Sequence, residues 1–135
     1  MNPPSVYMFY GDNPLAISET ISDLQAKLGD SAEFNVQRFT GASLDIEQLR
    51  ATSKALPFLS ERRLIIVESA EKISDKNSEK VVELLDDLPE TTALVIIETV
   101  VPKSARDEKK PSLLRQWATD HPEKAFTRAF INPKG

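Results

Sequence analysis

Short apolar runs recur along the chain at intervals that suit β-strands separated by helices. Residues 6–10, 64–67 and 93–97 are apolar without interruption, which is typical of strands buried on both faces of a parallel sheet. Residues 34–39 include several polar side chains, and this predicts a strand at a sheet edge. Residues 125–131 predict a fifth strand.

The segments between these strands carry apolar residues at helical spacing. A first helix is predicted over residues 14–28, with Pro14 in its first turn. A second begins at Asp45, which forms a capping-box pattern with Gln48 three residues later. Two further helices precede the fourth and fifth strands. The apolar positions that define the four helices are Ile17, Ile21, Leu24 and Leu28; Ile46, Leu49 and Leu56; Val81, Leu84, Leu85 and Leu88; and Leu113, Leu114 and Trp117.

This alternation of strands and helices predicts right-handed crossovers and a mostly parallel sheet, and therefore an α/β fold. The three continuously apolar strands should be central, and the more polar second strand should lie at an edge. Burial by itself leaves several strand orders open. The length of 135 residues predicts one domain.

Composition narrows the possible chemistry. With 17 basic and 21 acidic residues the net charge is −4, which argues against a domain whose whole surface grips nucleic acid. Cysteine is absent, which excludes disulfides, thiolate metal sites and a cysteine nucleophile. The single histidine, His121, excludes a multi-histidine metal cluster, and its place at a helix end favours a dipole partner over a catalyst. No apolar run reaches the ~18 residues of a membrane span, and no signal peptide is evident, so we expect a cytoplasmic protein.

The segment between the first strand and the first helix has the position of a phosphate-binding loop. That motif reads Gly, four residues, Gly, Lys, then Ser or Thr. Gly11 and Ser18 fit its first and last positions, whereas Ala16 replaces the second glycine and Ile17 replaces the lysine. Because the lysine supplies the charge that neutralises the β- and γ-phosphates, we predict a degenerate loop that binds no nucleotide.

Residues 7–15, 35–41, 55–67 and 88–89 followed by 92–97 resemble the N-terminal domain of the delta subunit of the bacterial DNA polymerase III clamp loader, and residues 55–67 are the most specific match. The resemblance spans nearly the whole chain but only the first of the family's three domains. We therefore expect residues 1–135 to be the clamp-binding domain, without the helical lid and collar domains. The resemblance implies a three-layer RecA-like (AAA+-type) α/β domain with a five-stranded sheet in the order 5-1-4-3-2.

The resemblance also implies a function in DNA replication. Such a subunit binds the ring-shaped sliding clamp (the beta subunit) and helps to open it for loading onto DNA, without ATP binding or hydrolysis. No catalysis is expected from this domain, although the family belongs to a DNA polymerase holoenzyme. The implied partners are the clamp and the other clamp-loader subunits, with DNA reached only through the assembled complex and no membrane. No cofactor or metal is implied.

In this family the clamp contact is a hydrophobic plug at the end of the helix before the third strand. At the matching positions of this sequence, the resemblance implies that the clamp contact consists of Leu56, Pro57, Phe58 and Leu59. Phe58 matches the family pattern better than Pro57. The residues themselves support this assignment, because clustered apolar side chains around a surface turn are typical of an interface anchor. The spacing of the second helix instead predicts that Leu56 packs in the core.

Two other function classes stay open from the residues. A receiver domain would need a phosphorylatable Asp after the third strand, where Glu68 stands, and an acidic pair after the first strand, where Asp12 is available. Thr99, after the fourth strand, would fit its switch residue. An active phosphate-loop ATPase would need the lysine that Ile17 replaces.

Charged and aromatic residues elsewhere fit structural roles. Arg62 and Arg63 precede the third strand, where they would either flank the plug opposite an acidic partner surface or keep a sheet edge soluble. The mixed charges of residues 99–111 are typical of a solvated loop. Trp117 shares the helical spacing of its leucine neighbours and is expected in the core.

Overall fold

Strands and helices alternate along the chain in the computed structural model, which describes residues 4–27, 35–57, 59, 62–99 and 111–131. Short 3₁₀ turns at Gly41–Ser43 and Ala70–Lys72 follow the second and third strands. In chain order the elements within these ranges are β1 (Val6–Gly11), α1 (Pro14–Ala26), β2 (Val36–Thr40), α2 (Ile46–Lys54), β3 (Arg63–Glu68), α3 (Asp75–Leu85), β4 (Thr92–Thr99), α4 (Leu113–Asp120) and β5 (Ala125–Phe130).

The five strands form one parallel sheet in the order β2-β3-β4-β1-β5. This is the expected order 5-1-4-3-2 read from the opposite edge, so the expectation is confirmed. The three continuously apolar strands are the central ones, and β2 lies at an edge. Central strands lose the alternation of apolar and polar residues because both of their faces are buried.

Helices cover both faces of the sheet and make three layers. On one face, α2, α3 and α4 pack against the strands, with Leu49 of α2 and Leu94 of β4 both fully buried in that core. On the other face, α1 contributes Ile17 and Ile21 to a second core around Ile66 of β3. The predicted three-layer α/β architecture is confirmed.

The predicted helices agree with the structure except at their carboxyl ends. α1 begins with Pro14 at its first turn, behind Asn13, and ends at Ala26. The predicted end of that helix, Leu28, lies outside the described residues. α3 ends at Leu85, and Leu88 follows it outside the helix, half-buried against the core.

The prediction that Leu56 packs in the core is wrong. α2 ends at Lys54, and Ala55 is extended at φ −73° and ψ 143°. The chain has therefore left the helix before Leu56, whose side chain is 78% exposed. The physical reason is Pro57, because a proline disfavours helical conformation in the residue before it. The prediction was wrong because it extended the helical spacing beyond Lys54, where α2 ends, and so placed Leu56 in the core instead of at the surface.

Truncating a side chain at the centre of the sheet should destabilise the whole domain. Ile66 is fully buried in β3, so Ile66→Ala should lower the free energy of unfolding by ~2–5 kcal/mol through lost burial and the cavity left behind. Denaturant unfolding followed by Trp117 fluorescence measures this change. The matched control is Leu15→Ala, which removes a 68% exposed aliphatic chain from α1 and should change stability by no more than ~0.5 kcal/mol. A similarly small loss for Ile66→Ala would contradict the burial of β3.

Candidate functional site

The end of α2 is fixed against the amino ends of β3 and β4. α2 begins at Asp45, whose side chain accepts a hydrogen bond from the Gln48 N–H at 3.1 Å, as the capping pattern predicted. At its other end, the Ser53 carbonyl accepts a buried hydrogen bond from the Thr92 hydroxyl at 2.6 Å. Lys54 forms a surface ion pair with Asp87 at 3.5 Å. These contacts set where the chain emerges from the helix.

The segment that follows presents apolar side chains to solvent. We call residues 56–59 the tip. Leu56 and Leu59 are 78% and 79% exposed, and Pro57 between them is half-buried. Phe58 lies outside the described residues. Leu59 has a left-handed backbone with φ +58°, a conformation that costs a non-glycine residue ~1–2 kcal/mol. Two large exposed aliphatic chains within four residues are a surface that a partner can bury.

Arg62 and Arg63 bond to main-chain carbonyls at the base of the tip. The Arg63 guanidinium donates to the Leu56 carbonyl at 2.9 Å through Nη2. Arg62 donates through Nη2 to the carbonyls of Pro4 at 2.7 Å and Thr92 at 3.2 Å, and through Nε to Glu90 at 3.3 Å. The sequence predicted that these arginines either face an acidic partner surface or keep a sheet edge soluble. The observed bonds to main-chain carbonyls correspond to neither role. Both arginines tie loops to the amino edge of the sheet.

The candidate phosphate loop lies at the opposite, carboxyl edge of the sheet. Its backbone is closed by contacts within the protein. The Asn13 N–H donates to the Phe130 carbonyl at 3.0 Å, and the Ala16 N–H donates to the Asn13 side chain at 3.2 Å. Gly11 has φ +147°, and a Cβ there would lie 2.1 Å from the Phe130 carbonyl oxygen, so β5 approaches too closely for another residue. The amides of Asn13 and Ala16 are therefore already bonded within the protein.

The side chains of this loop, residues 11–18, also provide no positive charge that could bind a phosphate. Ile17 is 6% exposed and packs in the core beneath α1, while Ala16 is half-buried and Ser18 is exposed. A cavity of about 290 Å³ adjoins α1 at this edge, with Ser18 in its lining. The cation in that lining, Arg38, is paired with Glu68 at 2.7 Å. The structure thus separates the tip and the phosphate loop to opposite edges of one parallel sheet.

A buried carboxylate at the end of β4 was missed by sequence reasoning. Glu98 is 2% exposed, accepts a hydrogen bond from the Ser112 hydroxyl and forms an ion pair with Arg115 at 3.2 Å. Arg115 also lies over the Tyr10 ring, 4.4 Å from its centroid. Burial raises the pKa of Glu98 above its ordinary value of 4.5, and the Ser112 hydrogen bond and Arg115 oppose that rise. The sequence did carry a signal for this buried group, because Glu98 directly follows the apolar run of residues 93–97.

The aromatic end of α4 is structural, as the sequence predicted. Trp117 is 5% exposed, and its indole N–H donates to Asp86 at 2.8 Å. The His121 ring stacks on Trp117 with centroids 4.3 Å apart, and its Nδ1 lies 2.7 Å from the Trp117 carbonyl. His121 therefore bonds to a last-turn carbonyl of its own helix, which agrees with a role at the helix terminus.

Among the described residues, no group of three or more His, Cys, Asp or Glu side chains is arranged to hold a metal ion. Within the same part of the chain, no helix is long and apolar enough to cross a membrane.

The strand order decides against a receiver domain. Receiver domains have the order 2-1-3-4-5, in which the first strand lies between the second and third. Here β1 lies between β4 and β5. Glu68 occupies the position of the phosphorylatable Asp and is paired with Arg38, and the Thr99 N–H donates to Glu71 at 2.8 Å. The fold and the site instead define an AAA+-like α/β domain.

Comparisons with known proteins identify the family. Residues 7–120 match the family "DNA polymerase III, delta subunit". The chain therefore belongs to the DNA polymerase III delta-subunit family. It is also similar to DNA polymerase III subunit delta of Bacillus subtilis (strain 168), with 27% identity over 112 residues, which cover 78% of this chain and 32% of that protein. The chain thus spans about a third of the length of this curated relative.

Solved structures share the fold. The Bacillus subtilis DNA clamp loader delta protein superposes with a TM-score of 0.72 at 22% identity, covering 94% of this chain and 38% of that one. A DNA polymerase III gamma subunit-related protein from Thermotoga maritima superposes with a TM-score of 0.66 at 16% identity, covering 98% of this chain and 43% of that one.

The raised pKa of Glu98 gives the stability a defined pH dependence. Just above pH 4.5 the unfolded chain releases this proton while folded Glu98 retains it, so the folded state binds more protons. The free energy of unfolding contributed by Glu98 should therefore fall as pH rises from about 4.5 to 7. The measurement is denaturant unfolding of the wild type and Glu98→Gln across that range. The amide of the variant cannot titrate, so the stability of the wild type relative to the variant should decrease with rising pH. A relative stability that increases with pH would show that Arg115 lowers this pKa instead.

Proposed function

We propose that residues 1–135 form the N-terminal, clamp-binding domain of a clamp-loader delta subunit. In this proposal the tip, Leu56, Pro57, Phe58 and Leu59, inserts into an apolar pocket of the ring-shaped sliding clamp and helps to open the ring for loading onto DNA. The observation that carries the proposal is the exposure of Leu56 and Leu59 on a base that is fixed to the sheet. Membership of the delta-subunit family supplies the kind of partner.

The energetics favour an apolar anchor at this position. Burying one large apolar side chain contributes ~1.5–3 kcal/mol. Leu56 and Leu59 together expose a surface that gains this contribution only when a partner covers it. Hot spots at interface centres have the same character, a few apolar side chains that enter a dry pocket. Opening of the ring would then draw on binding free energy and needs no chemistry at the tip.

The domain is proposed to act without ATP. Ile17 stands in the core where a phosphate loop has its lysine, and the amides of Asn13 and Ala16 are bonded within the protein. The alternative of an active phosphate-loop ATPase therefore lacks the lysine cation, and two amides of the loop are not free to bind phosphate. We propose no cofactor, metal or catalytic residue for this domain.

The remaining partners follow from the assembly. A delta subunit works beside the other clamp-loader subunits, and DNA is reached through the assembled complex. The net charge of −4 agrees with a domain that does not grip DNA by its whole surface. Replication of bacterial DNA places such a protein in the cytoplasm.

Removing the aromatic ring of the tip should weaken clamp binding without unfolding the domain. Phe58→Ala should raise the dissociation constant for a bacterial sliding clamp about thirtyfold or more, because truncating an interface anchor costs ~2–4 kcal/mol. Titration calorimetry with the purified clamp measures the affinity, and denaturant unfolding measures stability.

The matched control is Phe126→Ala, which removes a half-exposed ring from the edge strand β5, separated from β3 by β4 and β1 in the sheet. That variant should bind the clamp like the wild type. Unchanged affinity of Phe58→Ala would contradict the proposal. So would a stability loss of ~3–5 kcal/mol, which would place the ring in the core.

Nucleotide should not bind. Titration of the chain with Mg·ATP should give no saturable heat, since the loop offers no lysine and the amides of Asn13 and Ala16 are bonded within the protein. An intact phosphate-loop ATPase titrated under the same conditions is the positive control. A micromolar dissociation constant for this chain would overturn the description of the loop as degenerate.

A further inference from the structure

The base of the tip is held by a side chain that begins the next strand. Arg63 is the first residue of β3 and pairs with Thr92 of β4. Its main-chain N–H donates to the Thr91 carbonyl at 2.7 Å. Its guanidinium reaches back across seven residues to the Leu56 carbonyl at 2.9 Å. A rigid strand is thereby connected to the first residue of an exposed loop.

We propose that Arg63 is a positioning residue, which preorganises the tip for binding and does not itself contact the partner. The inference rests on the proposed function of the tip. It concerns a residue that the family resemblance did not assign to the contact.

The backbone at Leu56 explains why a side chain has to supply this bond. α2 has ended at Lys54, and Ala55 is extended. Pro57 has no N–H, so it cannot donate a backbone hydrogen bond that would stabilise the turn. The Leu56 carbonyl is instead satisfied by Arg63 from across the loop.

Preorganisation should matter for this loop because the conformation that it adopts in this structure is unfavourable when unsupported. Leu59 has a left-handed backbone with φ +58°, which a leucine avoids in an unconstrained chain. A loop that has to be ordered on binding loses affinity by the conformational entropy of that ordering. A bond that fixes Leu56 in the unbound protein removes part of this loss.

The guanidinium is well suited to this task. Within the described part of the chain, the Arg63 Nε is buried and donates no hydrogen bond, while Nη2 extends outward to the loop. The Arg63 side chain is therefore buried as far as Nε, and only Nη2 bonds to the tip. Loss of Nη2 should make the tip more mobile while the sheet stays intact.

The test compares two variants that lose the same charge. Arg63→Met keeps an unbranched apolar stem and removes the donor. Arg50→Met is the control, because Arg50 lies on α2 and forms an exposed ion pair with Glu47 at 2.7 Å. Arg63→Met should weaken binding to a bacterial sliding clamp about five- to thirtyfold, the factor for ordering about one residue of backbone. Arg50→Met should change affinity by less than about twofold.

A double-mutant cycle separates positioning of the tip from a general structural role. In the Phe58→Ala background part of the anchor is gone while Leu56 and Leu59 remain, so Arg63→Met should reduce clamp affinity by a smaller factor than it does in the wild type. Full additivity of the two substitutions would overturn the inference, as would equal affinities of Arg63→Met and Arg50→Met. Normal binding by Phe58→Ala would instead overturn the proposed function of the tip, and the inference with it.

A second substitution covers the case in which Arg63→Met does not fold. Arg63→Lys retains the charge and a donor on a shorter, more mobile stem, and we expect an affinity loss of about two- to threefold. Its control is Arg50→Lys, which should bind like the wild type. Equal affinity of these two lysine variants would overturn the inference.

Discussion

The three central strands are apolar on both faces, and the exclusion of water from both faces determines the rest of the architecture. Helices have to cover the sheet on either side, so each strand is followed by a crossover that returns the chain to the same edge. All connections into strands therefore lie at the amino edge, and all loops that leave strands lie at the carboxyl edge. The tip therefore lies at the amino edge, before β3, and the phosphate loop lies at the carboxyl edge, after β1.

In the proposed function the two edges have different roles. At the carboxyl edge, where α/β domains usually hold ligands, the close approach of β5 to Gly11 and the bonded amide of Asn13 leave the loop closed. At the amino edge, Thr92 and Arg63 hold the end of α2 and the loop beyond it, and large apolar side chains project from that fixed base. In the proposed function, a domain with the layout of a nucleotide-binding protein thereby binds a protein partner instead.

The sequence predicted the features that depend directly on burial and on the spacing of apolar residues, namely the strands, the helices and which strands are central. Continuous apolar runs identified the central strands, and the family resemblance gave their order, which burial could not choose. Leu56 was misassigned because helical spacing does not show where a helix stops, whereas the proline after it does. Glu98 and Arg63 were missed as bonded groups because their partners depend on how distant segments meet in space. Whether Phe58 is the anchor stays a prediction, since it lies outside the described residues.

The central claim is that the amino edge of the sheet is the binding edge, and methyl NMR tests it most directly. The chain would be labelled at its leucine methyl groups and titrated with unlabelled sliding clamp. The account predicts that the methyl signals of Leu56 and Leu59 shift or broaden on saturation, while those of Leu15, exposed beside the phosphate loop, stay in place. Perturbation of Leu15 without Leu56 and Leu59, or no perturbation of any leucine at saturating clamp, would contradict it.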